Sequence, residues 1–249
     1  MSTPATPFHK RPLWIAVAAL LALILVVGGI AAASGAFSGG GTPAAAPTGD
    51  AAVAEPATSA SPSASALPDG AASVCGLPGY EETSSLTQAP QVTWKLIGTM
   101  AVPDDPEGAG PGTTDADGLR TCFAHTARGA LYAVASYFGS GTDGRLAAHL
   151  PELAAPGSGR DAAAKRASGK AADARSQIAG FKVLSYSASE TTIDLALDYA
   201  SPRPGLASLP IVMRWVDGDW KIVVTDDGQL PLQASRLQSL GGYIPWSGA

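Results

Sequence analysis

The sequence predicts a domain of the α+β class, held behind a membrane anchor and a flexible linker. Three observations support this prediction: an uncharged apolar run near the N terminus, a stretch of small residues after it, and a change of periodicity later in the chain. Apolar residues recur at helical spacing in the first half of the predicted domain and alternate with polar residues in the second half. Helices followed by strands along a chain are typical of α+β domains.

The apolar run, residues 13–33, contains no charged side chain and predicts one transmembrane helix within residues 12–34. A helix of this length spans roughly 30 Å, which is about the thickness of a bilayer core. Residues 9–11 are His, Lys and Arg, and positive charge beside a span tends to stay in the cytoplasm. We therefore expect a single-pass protein of the cell membrane with a cytoplasmic tail, residues 1–11, and an extracellular C-terminal part. A cleaved signal peptide is the alternative, although its apolar region is usually shorter.

The segment after the run, residues 35–73, consists almost entirely of Ala, Gly, Pro, Ser and Thr. Such a composition cannot bury enough apolar surface to offset the entropy lost on ordering, so we expect a disordered linker. The remaining residues, 74–249, are sufficient for one compact extracytoplasmic domain with its own core.

The chain is acidic, with 16 Lys and Arg against 21 Asp and Glu and a formal net charge of −5. Direct binding to nucleic acid is not expected, because nucleic-acid-binding proteins usually carry a basic surface. Cys75 and Cys122 both follow the apolar run, and an even pair outside the cytoplasm predicts a disulfide. The cysteines and the three histidines lack metal-ligand spacing, so we expect no metal and no cofactor. His125 and His149 are expected to be solvated or to cap a helix.

The first half of the domain combines one strand, one loop and helices. Residues 91–97 resemble a short strand, and a loop dense in Pro, Gly and Asp is expected over residues 100–117. Thr126 is a typical N-cap, and apolar residues after it fall on one face of a helix. Three helices are expected, over residues 127–138, 145–153 and 161–178.

The second half of the domain predicts an antiparallel sheet. Strands are expected over residues 181–186 and 192–199, where apolar and polar residues alternate. Two further apolar runs, residues 209–216 and 219–225, are joined by Asp217 and Gly218. An Asp-Gly pair between two such runs predicts a type I′ hairpin, and its register places Trp215 opposite Trp220.

No motif in the chain predicts a catalytic residue. Residues 139–144 match G-x-G-x-x-G, but a dinucleotide site needs a strand before this motif and here a helix precedes it, so a loop between helices is expected. The Asp-Asp-Gly sequence at 226–228 is expected to form a turn. Asp194 and Asp198 share the polar face of a strand and are expected to be solvated.

The helix sequence GALYAVASYF and the hairpin MRWVDGDWKIVV resemble the cone-shaped, nuclear-transport-factor-type (cystatin-like) fold over roughly residues 91–228. The stretches VCGLPG, TCFAHTARGALYA and GGYIPWSG resemble membrane-anchored proteins of actinobacterial integrative and conjugative elements. The layout is also similar to the bitopic scaffold proteins of conjugative type IV secretion systems. Those proteins are structural, so the resemblance implies no catalytic residue and implies other envelope proteins as partners.

The C-terminal segment, residues 240–246, is apolar and aromatic and is expected to pack back on the domain. The alternative is a partner-docking segment whose contacts are Tyr243, Ile244 and Trp246, since Tyr and Trp are favoured interface anchors.

Three functional hypotheses follow from the sequence. The first is a non-enzymatic scaffold of a cell-envelope transfer apparatus, which would bind other subunits or a second copy of itself. The second is a tethered extracellular module that binds a small ligand or a cell-wall component. The third is an isomerase-like enzyme with an Asp of strongly raised pKa in a pocket. A sizeable apolar pocket would favour the second hypothesis, because a scaffold can have a filled interior.

Overall fold

The computed structural model of the protein describes residues 68, 70–173, 175–201 and 204–248. The expected cytoplasmic tail, residues 1–11, and the expected membrane helix, residues 12–34, lie outside these residues. No helix within the described ranges is both long enough and apolar enough to cross a membrane. Ala71 and Ser73, at the end of the expected linker, are buried.

The described part of the chain is a mixed domain with a sheet and few helices, as the α+β prediction requires. The elements in chain order are β1 (Thr93–Ile97), β2 (Met100–Asp104), β3 (Thr113–Thr114), β4 (Arg120–Thr121), α1 (Ala127–Gly141), α2 (Gly144–Ala147), a 3-10 helix (Leu150–Leu153), α3 (Ser158–Arg166), β5 (Arg175–Tyr186), β6 (Glu190–Ser201), β7 (Gly205–Val216), β8 (Asp219–Ile222), β9 (Ser235–Leu237) and β10 (Ile244–Pro245).

Strand β1 is confirmed, but the loop expected from Met100 onward is wrong at its start, where β2 pairs with β1. Met100 and Val102 are buried, and they alternate with the more exposed Ala101. The Pro, Gly and Asp residues that suggested a loop become dense only after these two apolar side chains. Burial of Met100 and Val102 therefore determined the structure of this segment.

Helix α1 is confirmed and begins where its cap predicts. The Thr126 hydroxyl accepts a hydrogen bond from the Gly129 amide, which satisfies one of the free donors of the first turn. The helix continues to Gly141, three residues beyond the expected end, and its face containing Leu131 and Val134 is fully buried.

The other two expected helices need correction. The second one divides into α2 and a 3-10 helix that contains Pro151. The third, α3, ends at Arg166, whereas the prediction extended it to residue 178, and β5 begins at Arg175. Ile178 is buried opposite Leu197 of β6. Burial in the sheet therefore outweighs the helix propensity of the Ala, Lys and Arg residues before it.

The sheet has the strand order β10-β5-β6-β7-β8, and all pairs are antiparallel. Strand β9 pairs with the first half of β7, on the same edge to which β8 pairs at the second half. Asp217 and Gly218 have φ values of 52° and 77°, as the type I′ turn requires. Trp215 lies opposite Trp220, with ring centroids 5.4 Å apart. The hairpin prediction is therefore confirmed. The core lies between the sheet and α1, with the β1–β2 hairpin beside them.

A C-terminal strap, residues 235–246, crosses the sheet from β7 to β5. It begins as β9 on the edge of β7 and ends as β10 on the edge of β5. The Tyr243 hydroxyl donates to the carboxylate of Asp194, on the middle strand β6, at 2.6 Å. The strap therefore covers the outer face of the sheet, opposite the core.

An N-terminal clasp, residues 70–75, lies near the N-terminal end of α1 and fixes the chain there. Trp215 donates its indole N–H to the Gly70 carbonyl at 2.8 Å, and the Val74 amide donates to the Gly218 carbonyl at 2.8 Å. The clasp thus holds the chain against the turn of the β7–β8 hairpin.

Candidate functional site

A cavity of about 450 Å³, cavity A, lies beside the C-terminal end of α1. Helix α1 places Tyr137 and Phe138 in its wall, and β6 places Leu197 and Tyr199 there, on the face of the strand that points to the core. The other wall residues are Met100, Gly141, Thr142, Ala147, Leu150, Ser168, Lys170, Ala172, Ser176 and Leu230. The cavity therefore depends on elements far apart in the sequence.

A second cavity of about 330 Å³, cavity B, adjoins the first. The two share four wall residues, Tyr137, Ala147, Leu150 and Leu230. Cavity B is further lined by α3 and by residues at and after the end of β8, among them Ala163, Ile222 and Val224. We refer to cavities A and B together as the cleft. Its volume and mostly apolar walls are typical of small-molecule sites.

The polar groups of cavity A are mainly hydroxyls. The Thr142 hydroxyl is engaged, because it donates to backbone carbonyls and accepts from the Thr99 amide. The hydroxyls of Tyr137, Tyr199 and Ser176 have no hydrogen-bond partner in the described part of the chain. Ser176 and Tyr199 are direct partners across β5 and β6, so their hydroxyls belong to the same region of the wall.

The two tyrosines act as neutral donors. Burial raises the pKa of Tyr137 and of Tyr199 above the usual value for a phenol, because a charged phenolate would be poorly solvated there. Each hydroxyl is therefore protonated at neutral pH and can donate a hydrogen bond to an acceptor oxygen in cavity A.

The charged residues at the cleft already have partners. The Lys170 ammonium pairs with Asp173 at 3.1 Å, and both side chains are exposed. Arg166, in the wall of cavity B, donates to the Asp227 carbonyl at 2.6 Å. The described walls of the cleft contain no Asp and no Glu. The carboxylate base required by the isomerase-like hypothesis is therefore not found among them.

A larger groove of about 610 Å³ runs along residues 78–91 and the start of α1. Its main carboxylate, that of Glu81, accepts hydrogen bonds from the Ala127 amide and the Ser85 hydroxyl, so it caps the helix. The guanidinium of Arg128 also lines this groove. The groove is more polar than the cleft, and its carboxylate is committed to capping α1, so the cleft is the candidate site.

Most of the chain matches one protein family. A family model with the description "Domain of unknown function (DUF8175)" matches residues 55–245. The chain belongs to the DUF8175 family. Comparisons with curated proteins and with solved structures give no match. The region matched by the DUF8175 model includes every wall residue of the cleft and both cysteines.

The predicted disulfide is present in the DUF8175 domain. Cys75 and Cys122 are joined, with their Cα atoms 6.1 Å apart. The bond ties the end of the N-terminal clasp to the residues that precede α1. It lies at the opposite end of α1 from the cleft and therefore has a structural role in the clasp.

The three residues proposed for partner docking lie against their own domain. Tyr243 and Trp246 are buried, and Ile244 pairs with Phe181 of β5. The segment therefore packs back as expected. Docking of a partner through Tyr243, Ile244 and Trp246 stays a prediction, and it would require these side chains to leave their present contacts.

The sequence predicts Asp194 in solvent and His125 in solvent or capping a helix, but both are buried and both expectations are wrong. Asp194 is only 4% exposed, because the C-terminal strap covers it and Ser208 and Tyr243 donate to its carboxylate. His125 is 3% exposed, and its ring stacks on Trp215 at 3.7 Å. Asp198 is exposed, as expected.

The two glycine-containing motifs lie at a junction between helices and at a turn. Residues 139–141 form the last turn of α1 and Gly144 begins α2, so only Thr142 and Asp143 form the expected loop between helices, and a helix precedes the motif. Residues 225–228 form a turn, in which the Gly228 amide donates to the Thr225 carbonyl. In the described ranges, no group of three or more His, Cys, Asp or Glu residues could hold a metal ion.

Sequence reasoning did not find the cleft. Tyr137 and Tyr199 belong to a helix and a strand that the sequence predicts, but their spacing does not place them in one wall, and nothing in the sequence marks Leu150 or Leu230 as wall residues. Leu230 follows a turn and belongs to no periodic segment, so no local pattern marks it. The available signal was the resemblance to the cone fold, in which a helix lies across a curved sheet.

Proposed function

We propose that this protein is a membrane-tethered, extracytoplasmic domain whose cleft binds a small apolar ligand. The two-lobed cleft between α1, α3 and the sheet supports this role, because a binding module needs an apolar space with few polar groups. The Cys75–Cys122 disulfide supports an extracytoplasmic location, since disulfides persist in oxidising compartments. Anchoring by a helix within residues 12–34 is part of the same proposal.

The proposal includes the cone-shaped fold. Helices α1 to α3 precede the consecutive strands β5 to β8, which pair as an antiparallel meander. Trp220 of the closing hairpin is buried in the core, as in the fold that the sequence resembles. The β1–β2 hairpin and the C-terminal strap are additions to that pattern.

The test is photo-crosslinking of the full-length protein in lipid nanodiscs with a hexadecane that carries a diazirine. We expect saturable labelling that maps to peptides lining the cleft, and unlabelled alkane should compete with it. Ala147→Leu enlarges a side chain in the wall shared by both cavities and should reduce cleft labelling by about fivefold.

The matched control is Ala148→Leu, which makes the same change at the exposed neighbouring residue and should leave labelling unchanged. A wild-type protein whose cleft peptides carry no saturable label would contradict the proposal. Equal labelling of the Ala147→Leu and Ala148→Leu proteins would also contradict it.

The scaffold role in an envelope transfer apparatus is a second proposal, and one observation favours it. Strand β5 pairs with the strap only at Gly180 and Phe181, so its outer edge has no strand partner at residues 182–186 in the described structure. Leu184, at a bulge in the pairing of β5 with β6, is 52% exposed. An open edge of this kind can accept a strand from another protein.

The scaffold proposal predicts that Leu184→Asp reduces recovery of envelope transfer ATPase or channel subunits. The measurement is a mild-detergent pull-down of the full-length protein from its host, followed by mass spectrometry. Leu232→Asp makes the same change at another exposed leucine and should leave recovery unchanged. Recovery of the wild-type protein alone would contradict the scaffold role.

A further inference from the structure

We propose that His125 is a charged imidazolium that locks the N-terminal clasp, and that loss of its proton at raised pH opens the clasp. The clasp lies at the opposite end of α1 from the cleft, so its opening is independent of the ligand proposed there. The two oxygen atoms that the buried His125 ring faces carry this proposal.

Both ring nitrogens of His125 face backbone carbonyl oxygens. Nδ1 lies 2.8 Å from the carbonyl oxygen of Ala71 in the clasp, and Nε2 lies 2.5 Å from that of Ala188 in the turn between β5 and β6. A carbonyl oxygen can only accept a hydrogen bond, so each nitrogen must carry a proton to form one. Among the forms of histidine, the imidazolium alone has both protons. Turning the ring over would place carbon atoms against both oxygens, so the reverse orientation offers no alternative.

Aromatic rings surround the His125 ring. It is buried and stacks on Trp215, with ring centroids 3.7 Å apart and planes 6° from parallel. The rings of Tyr80 and Trp220 lie edge to face with it, at centroid distances of 5.1 and 5.7 Å. The face of an aromatic ring attracts a cation, and the attraction is stronger where water is excluded. The stacked indole therefore favours the charged form of His125.

A neutral His125 cannot keep both hydrogen bonds. After loss of one proton, the lone pair of one ring nitrogen points at a lone pair of the carbonyl oxygen that it faces. That carbonyl loses its donor, and a buried polar group without a partner is costly. Deprotonation therefore favours a conformation in which one of the two carbonyls has moved away.

The clasp is held by fewer contacts than the turn that contains Ala188. That turn joins β5 and β6, two long strands that pair with each other. Ala71 lies in a short segment that bonds the β7–β8 hairpin through the Gly70 carbonyl and the Val74 amide. Fewer contacts must break to move Ala71, so we expect the clasp to open as far as the disulfide at Cys75.

The sign of the pH dependence follows from the count of protons. With the clasp closed, the ring holds two protons, whereas a hydrated histidine is mostly neutral above about pH 7. Closing the clasp therefore takes up a proton in that range. Each further pH unit should then lower the equilibrium constant for closing by up to about tenfold.

Other ionisable groups around His125 do not produce this dependence. The clasp itself has no ionisable side chain apart from the bridged Cys75. The surrounding elements contribute Tyr80, Glu81, Glu82, Arg128, Glu190, Arg214, Asp217, Asp219 and Lys221. Carboxylates, lysines and arginines do not ordinarily titrate between about pH 6 and 9. Desolvation and the nearby Glu82 carboxylate raise the pKa of Tyr80, so its phenol stays neutral in this range.

The charge on His125 is measured by NMR of the full-length protein in lipid nanodiscs, with nitrogen-15 in its histidines. At pH 7.5, where a hydrated histidine is mostly neutral, we expect a proton on both ring nitrogens of His125. The His125→Asn protein identifies the His125 signals by their loss. One protonated nitrogen instead of two would overturn the proposal.

The clasp is followed on the same protein by hydrogen exchange and mass spectrometry between pH 6 and 9, with each rate divided by the intrinsic rate at that pH. Protection of the clasp peptide should fall by up to about tenfold per pH unit above pH 7, while protection of α1 stays constant. His125→Asn should lower clasp protection at pH 6 by at least about tenfold and remove its pH dependence.

The matched control is His149→Asn, which makes the same change at an exposed histidine paired with Glu152. It should leave the protection of the clasp and its pH dependence unchanged. Clasp protection that does not vary with pH in the wild-type protein would overturn the proposal, and so would an equal pH dependence in the His125→Asn protein. If His125→Asn does not fold, the wild-type series decides, with α1 as its internal reference.

Discussion

Replacing Trp246 by alanine should lower the free energy of unfolding by about 4 kcal/mol. The indole is 5% exposed and lies against Trp94, Tyr132 and Phe181, with ring centroids 4.8, 5.9 and 5.6 Å away. Its N–H donates to the Pro90 carbonyl at 3.3 Å. Truncation removes the transfer energy of a large aromatic side chain and leaves a cavity that the surrounding rings can fill only in part.

The measurement for Trp246→Ala is urea unfolding of the full-length protein in nanodiscs, followed by far-ultraviolet circular dichroism. Leu184→Ala is the control, because it truncates a large apolar side chain that is half exposed and should change stability by less than about 0.5 kcal/mol. Equal costs for the two variants would show that the strap is not anchored in the core.

Replacing Asp219 by alanine should cost a similar amount, about 4 kcal/mol. The buried carboxylate accepts hydrogen bonds from the amides of Cys122 and Phe123 at 3.1 and 2.9 Å, and the Lys221 ammonium lies 3.0 Å away. Cys122 has φ of 60°, a conformation that is unfavourable for a residue with a side chain. Alanine would leave two buried amides without acceptors and release the contacts that hold this turn.

A second substitution separates the hydrogen bonds from the charge. Asp219→Asn retains one acceptor oxygen, so we expect an intermediate loss of about 2 kcal/mol by the same unfolding measurement. Asp198→Ala removes an exposed carboxylate and should be neutral within about 0.5 kcal/mol. If Asp219→Ala is no more costly than Asp198→Ala, the carboxylate does not stabilise the turn at Cys122.

Local chemistry explains which parts of the fold the sequence predicts. The β7–β8 hairpin depends on Asp217 and Gly218, whose tolerance of positive φ is a property of two adjacent residues. Helix α1 depends on the Thr126 cap and on apolar spacing within four turns. Each of these signals can be read from a short window, and each prediction is confirmed.

Long-range contacts explain what the sequence does not predict. Asp194 is polar by pattern and becomes buried only because Tyr243, 49 residues later, crosses over it. The switch from α3 to β5 depends on a strand partner, Leu197, that follows Ile178 in the chain. The cleft is a space left between α1, α3 and the sheet, so its walls are determined by packing and by no local motif.

The position of the N-terminal clasp determines how mechanical force would enter the domain. Tension applied to the chain before residue 70 reaches Gly70 and Val74, which are bonded to the β7–β8 hairpin, and then the covalent bond from Cys75 to Cys122. These points lie beside the N-terminal end of α1, whereas the cleft lies at its C-terminal end. A pull on the chain that precedes residue 70 is therefore first borne by the hairpin and the disulfide, and the walls of the cleft are not in its direct path.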